Sequence, residues 1–190
     1  MGGDFQPAWW CRGAHSQTIY GGLFRPAPEI PLRRERLELP DGDFLDLDWL
    51  EAREKSRLVI ILHGLGSSSR AAYIQALCKE IQTAGWQAAV LHARGVREPN
   101  RLPETSHAGQ TKDLDYVIGR VLAAKKADKI FLAGYSLGGN QVLKWLAEQG
   151  SRVPQVGKAA AVSVPYNLAA AVRHLDRGFN RAIYTRSMLA

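Results

Sequence analysis

Lys129-Ile130-Phe131-Leu132-Ala133-Gly134-Tyr135-Ser136-Leu137-Gly138-Gly139-Asn140 decides how the rest of the chain is read. The apolar run Lys129–Ala133 predicts a buried strand, and Gly138–Gln149, closed by Gly150, predicts a helix directly after it. A strand that turns at once into a helix brings its own backbone close to the helix start, so small residues are required two positions before and after Ser136. Gly134, Gly138 and Gly139 meet that requirement. The G-x-S-x-G pattern alone is weak, and an ordinary Gly-rich turn is its bland reading. On a strand-to-helix turn of a parallel sheet it is a nucleophile elbow, which lifts the Ser136 hydroxyl over the carboxyl edge of the sheet. It also sets the Leu137 N–H at a helix N-terminus, where a developing oxyanion is stabilised.

The surrounding segments supply such a sheet. Arg36-Leu37-Glu38-Leu39 and Phe44–Leu50 both alternate and flank the turn Pro40-Asp41-Gly42-Asp43, which predicts an antiparallel hairpin. After the charged turn Glu51–Arg57, Leu58-Val59-Ile60-Ile61-Leu62 is continuously apolar, as in a strand buried on both faces. A helix over Ser69–Ala84, a strand over Trp86–Leu91, a helix over Gly109–Lys126 and a strand over Ala159–Val164 complete the pattern, with Asp113 and Asp115 near a helix start. Strand and helix alternate three times, so the expected fold is α/β, a mostly parallel sheet with flanking helices and an antiparallel N-terminal hairpin. Residues 1–33, rich in Gly, Pro and Trp, read as an irregular arm, residues 34–166 as the core, and residues 167–190 as the start of a helical cap, with Leu168, Val172 and Leu175 at helical spacing.

The 190 residues are 46% hydrophobic and 23% charged, enough for one domain with a real core, which excludes disordered and fibrous classes. Apolar runs such as Leu58–Leu62 fall far short of a bilayer span. Met1-Gly2-Gly3-Asp4-Phe5-Gln6-Pro7 has no basic or apolar leader region, and Gln6 stands where a myristoylation signal has Ser or Thr, so no secretory or lipid address is expected. Cys11 and Cys78 form no disulfide or zinc pattern, which fits a reducing cytoplasm. The net charge of +7 lies entirely in the second half, and residues 151–190 hold six basic groups against Asp176 alone. Such a stretch could face nucleic acid or anionic lipid, but no accompanying motif supports this, and a solvated helical face accounts for it.

A second motif, His63-Gly64-Leu65-Gly66-Ser67-Ser68-Ser69, follows the strand Leu58–Leu62. In an acyl hydrolase this loop lends the second oxyanion N–H, and Leu65 is the natural donor. The rival is a dinucleotide fingerprint, which fares poorly: Ser69 replaces the third glycine, and the next strand ends in His92-Ala93-Arg94 without an acid for a ribose, although Arg94 could meet a 2′-phosphate. A Walker A loop lacks its Gly-Lys-Ser/Thr. An anion site built from Ser67–Arg70 and the basic C-terminus is a third reading. His63 is expected to brace the loop from beneath.

Several further segments carry a family resemblance: His15-Ser16-Gln17-Thr18-Ile19, Gly95 with Glu98-Pro99-Asn100-Arg101, His107 and Gly109 before Asp113-Leu114, and Val162-Ser163-Val164-Pro165. Together with the two motifs above they make the chain resemble the α/β-hydrolases of the group that includes bacterial YheT-type esterases, plant EMB8-like proteins and animal abhydrolase-domain lipases. The resemblance runs over essentially the whole chain. It implies hydrolysis of carboxylic esters, with acylglycerols or other lipid esters as substrates, Ser136 as nucleophile, Leu65 and Leu137 as oxyanion donors, no metal or organic cofactor, no nucleic acid and no stable membrane insertion. Acyl transfer to another acceptor would use the same residues.

In this fold the triad runs Ser, then Asp or Glu, then His. After Ser136 the only histidine is His174 and the only aspartate Asp176, in the wrong order and on the expected cap helix. His107 reads as a loop brace. The resemblance therefore implies an N-terminal portion whose C-terminal strands, with the Asp and His, are missing. It also implies an open sheet edge that would self-associate or accept a complementing C-terminal segment. The alternative is a non-catalytic module that binds an acyl ligand or a partner.

Overall fold

The computed structural model describes residues 6–24, 26–52 and 57–185. The first five residues, part of the charged turn and Arg186, all used above, lie outside them. Six strands form one sheet in the order β1-β2-β4-β3-β5-β6: β1 Arg33–Glu38, β2 Phe44–Leu50, β3 Arg57–Leu62, β4 Gln87–Leu91, β5 Lys129–Tyr135 and β6 Val156–Val162. β1 pairs with β2 and β2 with β4 antiparallel, whereas β4, β3, β5 and β6 are parallel, so the expected mixed sheet with its N-terminal hairpin is the one observed.

The helices are α1 Ala14–Ile19, α2 Ala72–Thr83, α3 Lys112–Ala123, α4 Leu137–Gln149, α5 Leu168–Leu175 and the single turn α6 Gly178–Asn180. Side chains alternate across a strand, so β3 sends Leu58, Ile60 and Leu62 to one face and Val59 and Ile61 to the other. The first set packs with Val117 and Ile118 of α3 and Val142 and Trp145 of α4, the second with Ile74, Cys78 and Ile81 of α2. Helices therefore cover both faces. α2 and α3 start later than the sequence reading, after loops at Ser69–Ala71 and Gly109–Thr111, whereas α4 starts one residue earlier, at Leu137. β6 begins at Val156 rather than Ala159 and ends at Val162, since Ser163 turns the backbone with φ +53°. The N-terminal arm contains α1 and a wider turn, Tyr20–Phe24.

β2 alternates in sequence but not in burial: all seven of its residues are buried. Arg34 and Arg36 of β1 reach over it, pairing bidentately with Asp48 at 2.7 Å and with Asp46 at 2.8 and 2.9 Å. The turn before β2 is equally occupied. Asp43, fully buried, accepts from the Asn100 side chain at 2.8 Å, the Arg101 N–H at 3.1 Å and Arg94 at 3.1 Å. Burial alone would raise its carboxyl, but these donors, with the Phe44 N–H, hold it below the ordinary range. The Glu-Pro-Asn-Arg segment is thus a clamp on the hairpin turn. Arg94 is buried and bound bidentately to Asp113, which leaves no guanidinium for a 2′-phosphate.

Candidate active site

The elbow is built by steric necessity. A Cβ on Gly134 would stand 2.4 Å from the Gly138 carbonyl oxygen, one on Gly138 would stand 2.5 Å from the Leu62 carbonyl oxygen, and one on Gly139 would stand 2.6 Å from the Val164 side chain. No side chain larger than hydrogen fits any of the three positions. Ser136 itself has φ +51°, a left-handed conformation uncommon for non-glycine residues. It is pinned there from both sides. Its N–H donates to the Val162 carbonyl at 2.9 Å, and its own carbonyl accepts from the Asn140 N–H at 3.2 Å. Strain of this kind persists only where the surroundings over-determine it, and it collects at functional sites. Leu137, the next residue, opens α4, where backbone N–H groups have no acceptor within the helix.

The facing loop is held by side chains instead. The Gly64 carbonyl accepts from the His63 Nδ1–H at 2.8 Å and from the Ser67 N–H at 3.2 Å. No peptide bond among the described residues is cis. In a trans peptide the N–H points opposite to the C=O, so a Gly64 carbonyl turned down onto His63 turns the Leu65 N–H outward. On its other side the Gly64 N–H donates to the Tyr73 hydroxyl at 3.1 Å, and that hydroxyl donates to Ser67 Oγ at 2.7 Å. A Cβ built on Gly64 would lie 3.4 Å from Ser136 Cβ, which brings the loop and the elbow face to face.

His63 is buried beneath this loop. A carbonyl cannot donate, so Nδ1 carries the proton and Nε2 accepts from the Ala93 N–H at 3.4 Å. Burial pushes its pKa down to about 4, which keeps the ring neutral at pH 7. Next to it, His92 hydrogen-bonds through Nε2 to Asp48 at 2.8 Å, and Ser69 Oγ donates to the same Asp48 oxygen. Ser, Asp and His are all present here, but the aspartate lies between the other two, an order that cannot relay a proton from serine to histidine. Burial alone would raise the Asp48 carboxyl, but hydrogen bonds from His92, Arg34 and Ser69 hold it far below the usual carboxylate range.

Of the residues singled out from the sequence, the structure brings together Ser136, Leu137 and Leu65. The others stand apart. His107 accepts the Gly109 N–H through Nδ1 at 3.1 Å and, through its carbonyl, the Gln141 side chain, so it braces its loop. His174 lies on the exposed helix α5. No hydrogen bond to Ser136 Oγ occurs among the described residues. The three serines after Gly66 have engaged hydroxyls: Ser67 with Tyr73, Ser68 with the Arg70 N–H and Ser69 with Asp48. Sequence reasoning missed Tyr73 and the buried Asp48–His92 pair, because each is defined only by partners far along the chain.

Residues 57–181 match the family model described as alpha/beta hydrolase fold. The chain belongs to that family. It is 38% identical to YheT of Escherichia coli (strain K12), whose name carries the word esterase, over 98% of this chain and 55% of the relative. It is 31% identical to the embryogenesis-associated protein EMB8 of Picea glauca over 92% of this chain and 41% of that protein. It is 28% identical to phospholipase ABHD3 of Homo sapiens over 95% and 46%. The chain spans about half the length of these curated relatives. Among solved structures, the esterase Pf2001 of Pyrococcus furiosus superposes with a TM-score of 0.66 at 20% identity, covering 82% of this chain and 62% of that one, a likeness of fold. The names of YheT, ABHD3 and a Saccharomyces cerevisiae relative carry the words esterase, phospholipase and monoacylglycerol lipase.

Proposed function

We propose that this chain is the nucleophile-bearing part of a serine carboxylic-ester hydrolase acting on acylglycerols or other lipid esters. Ser136 Oγ attacks the acyl carbon, and the Leu65 and Leu137 N–H groups hold the oxyanion of the tetrahedral intermediate. The ester C–O bond breaks, the alcohol leaves with a proton, and water then hydrolyses the acyl-enzyme to the free acid and Ser136. The observation that carries this reading is Ser136 at φ +51° between three positions that admit only glycine, directly opposite the Gly64–Leu65 peptide. Metal and organic cofactors have no role in it, and two buried free thiols, Cys11 and Cys78, suit the cytoplasm.

The general base and its orienting acid belong, in this proposal, to a longer product or a complementing segment that adds strands beside β6. His174 stands on an exposed helix, and the relatives extend to about twice this length, which supports that division. Residues 34–166 are then the partial core and residues 167–190 the first part of a cap. Without a base, Ser136 keeps weak nucleophilicity, and the oxyanion donors alone leave about 10³-fold catalysis over water. The same observation favours a second reading, a non-catalytic acyl-binding module.

Intact mass spectrometry before and after a fluorophosphonate probe separates the readings. We expect no adduct on the 190-residue chain and a single adduct, lost in Ser136→Ala, on a product extended beyond residue 190. An adduct on the short chain would overturn the claim of a missing base, and ester turnover unchanged by Ser136→Ala would overturn the assignment of Ser136.

A further inference from the structure

Between the N-terminal arm and the outer face of α2 lies an open groove of about 620 Å³, walled by Gly21 and Pro26 on the arm and by Ala72, Tyr73 and Ala76 on α2. Organic ligands occupy clefts of about 300–1,000 Å³, lined mainly by apolar groups. The small cavity beneath the oxyanion loop, about 10 Å³ beside His63 and Gln110, holds a water at most. A second groove, of about 580 Å³ beside Glu29 and Arg70, does not include Tyr73.

Tyr73 joins the first groove to the site. Its ring lines the groove and packs 4.7 Å from the ring of Tyr135, the residue before Ser136. Its hydroxyl reaches the Gly64 N–H, whose residue faces Ser136. One aromatic ring therefore separates the groove from the serine. From Tyr73 the groove follows α2 to Lys79 and Glu80, about 10 Å along the helix axis. The wall is mainly apolar, with Pro26, Pro28, Ala72, Tyr73 and Ala76 beside the neutral polar Gln17 and Thr18, and its charged side chains, Lys79 and Glu80, stand at the end of α2 remote from Tyr73.

The geometry points to an acyl-chain channel: the fatty chain of the ester lies along α2 against Ala72 and Ala76, its carbonyl carbon at Ser136 and its tail toward Lys79 and Glu80. This rests on the ester-hydrolase reading and names the part of the substrate that the groove takes. Tyr73 has two duties here, holding the Gly64 peptide with its hydroxyl and the first methylenes with its ring. The arm motif His15-Ser16-Gln17-Thr18-Ile19 gains a purpose as well, since Gln17 and Thr18 belong to the same wall.

The test uses the full 190-residue chain and a medium-chain fatty acid with a terminal diazirine, photo-crosslinked and mapped by peptide mass spectrometry. We expect adducts on residues 72–80 and 17–28, and a loss of about tenfold in yield when either wall is filled, by Ala76→Trp or Gly21→Leu. A Cβ on Gly21 meets nothing within 4 Å, so that variant enters open space and stands even if Ala76→Trp fails to fold. Adducts confined to β6 or α5, adducts indifferent to both variants, or no adducts at all would overturn the proposal. On an extended product, long-alkyl fluorophosphonates should lose reactivity in Gly21→Leu while short-alkyl ones keep theirs. Groove adducts with a Ser136 that never labels would sink the hydrolase reading and leave the channel standing. A labelled Ser136 indifferent to chain length would do the reverse.

Discussion

At one flank of the sheet β2 buries two carboxylates, and β1 answers them with two arginines. At the other flank β6 buries nothing, and its seven residues carry a single charge, Lys158. Asp48 gathers Arg34, His92 and Ser69 about one carboxylate, and Asp43 gathers Arg94, Asn100 and a backbone amide. On β6, Lys158, Ala160 and Val162 share the face of Phe131, Ala133 and Tyr135 through the β5 register, and all three are exposed. A charged edge strand resists pairing with another chain, whereas a flat, nearly uncharged one invites it. The first flank is closed by its own residues. The second is left exposed along most of its length.

Breaking the closed flank should have the largest effect. Asp48→Asn removes the buried carboxylate on which Arg34, His92 and Ser69 converge, and urea unfolding should show a loss of about 3 kcal/mol. A loss below about 1 kcal/mol would mean that the pairs are ornamental and the two flanks alike. Next comes acid. The folded pKa of His63, about 4, lies below its ordinary 6.5, so the unfolded chain binds more protons between those values. Its contribution is complete above about pH 6.5 and is lost as pH falls toward 4, up to about 3 kcal/mol in all. Urea midpoints at pH 7 and 4.5 should differ in the wild type and differ much less in His63→Gln. The Asp48 carboxylate adds its own loss from about pH 5 downward, as the unfolded carboxyl begins to take up protons, so most of it falls below the His63 window. The smallest effect on stability belongs to the open flank. Ala160→Glu on exposed β6 should change unfolding free energy by less than about 0.5 kcal/mol. It should nevertheless lower concentration-dependent association in sedimentation experiments, and equal association in both proteins would break the contrast.

The elbow was legible because its cause is local. Strand, turn and helix are adjacent along the chain, and Gly134 answers a contact four residues away, while Gly138 meets Leu62 on β3 and Gly139 meets Val164 just past β6. The parallel strands were legible for a related reason, since burial on both faces writes an unbroken apolar run. The burial of Asp46 and Asp48 was not legible, because it depends on Arg34 and Arg36 laid across them from β1. Asp113 and Asp115 lie in the first turn of α3, as read, but their partners were not legible. In the fold the first holds Arg94 and the second accepts from the Trp145 indole N–H at 2.9 Å.

By itself the sequence determined the mostly parallel sheet with flanking helices, its N-terminal hairpin and the glycine turn that carries Ser136, because steric and periodic constraints act between neighbours in the chain. Only the tertiary structure decided that His63 turns the Gly64 carbonyl down, that Tyr73 stands between the serine and a groove, and that the carboxylates of β2 are buried and paired. Those outcomes depend on groups up to dozens of residues apart meeting within hydrogen-bond reach, a distance that no local pattern encodes.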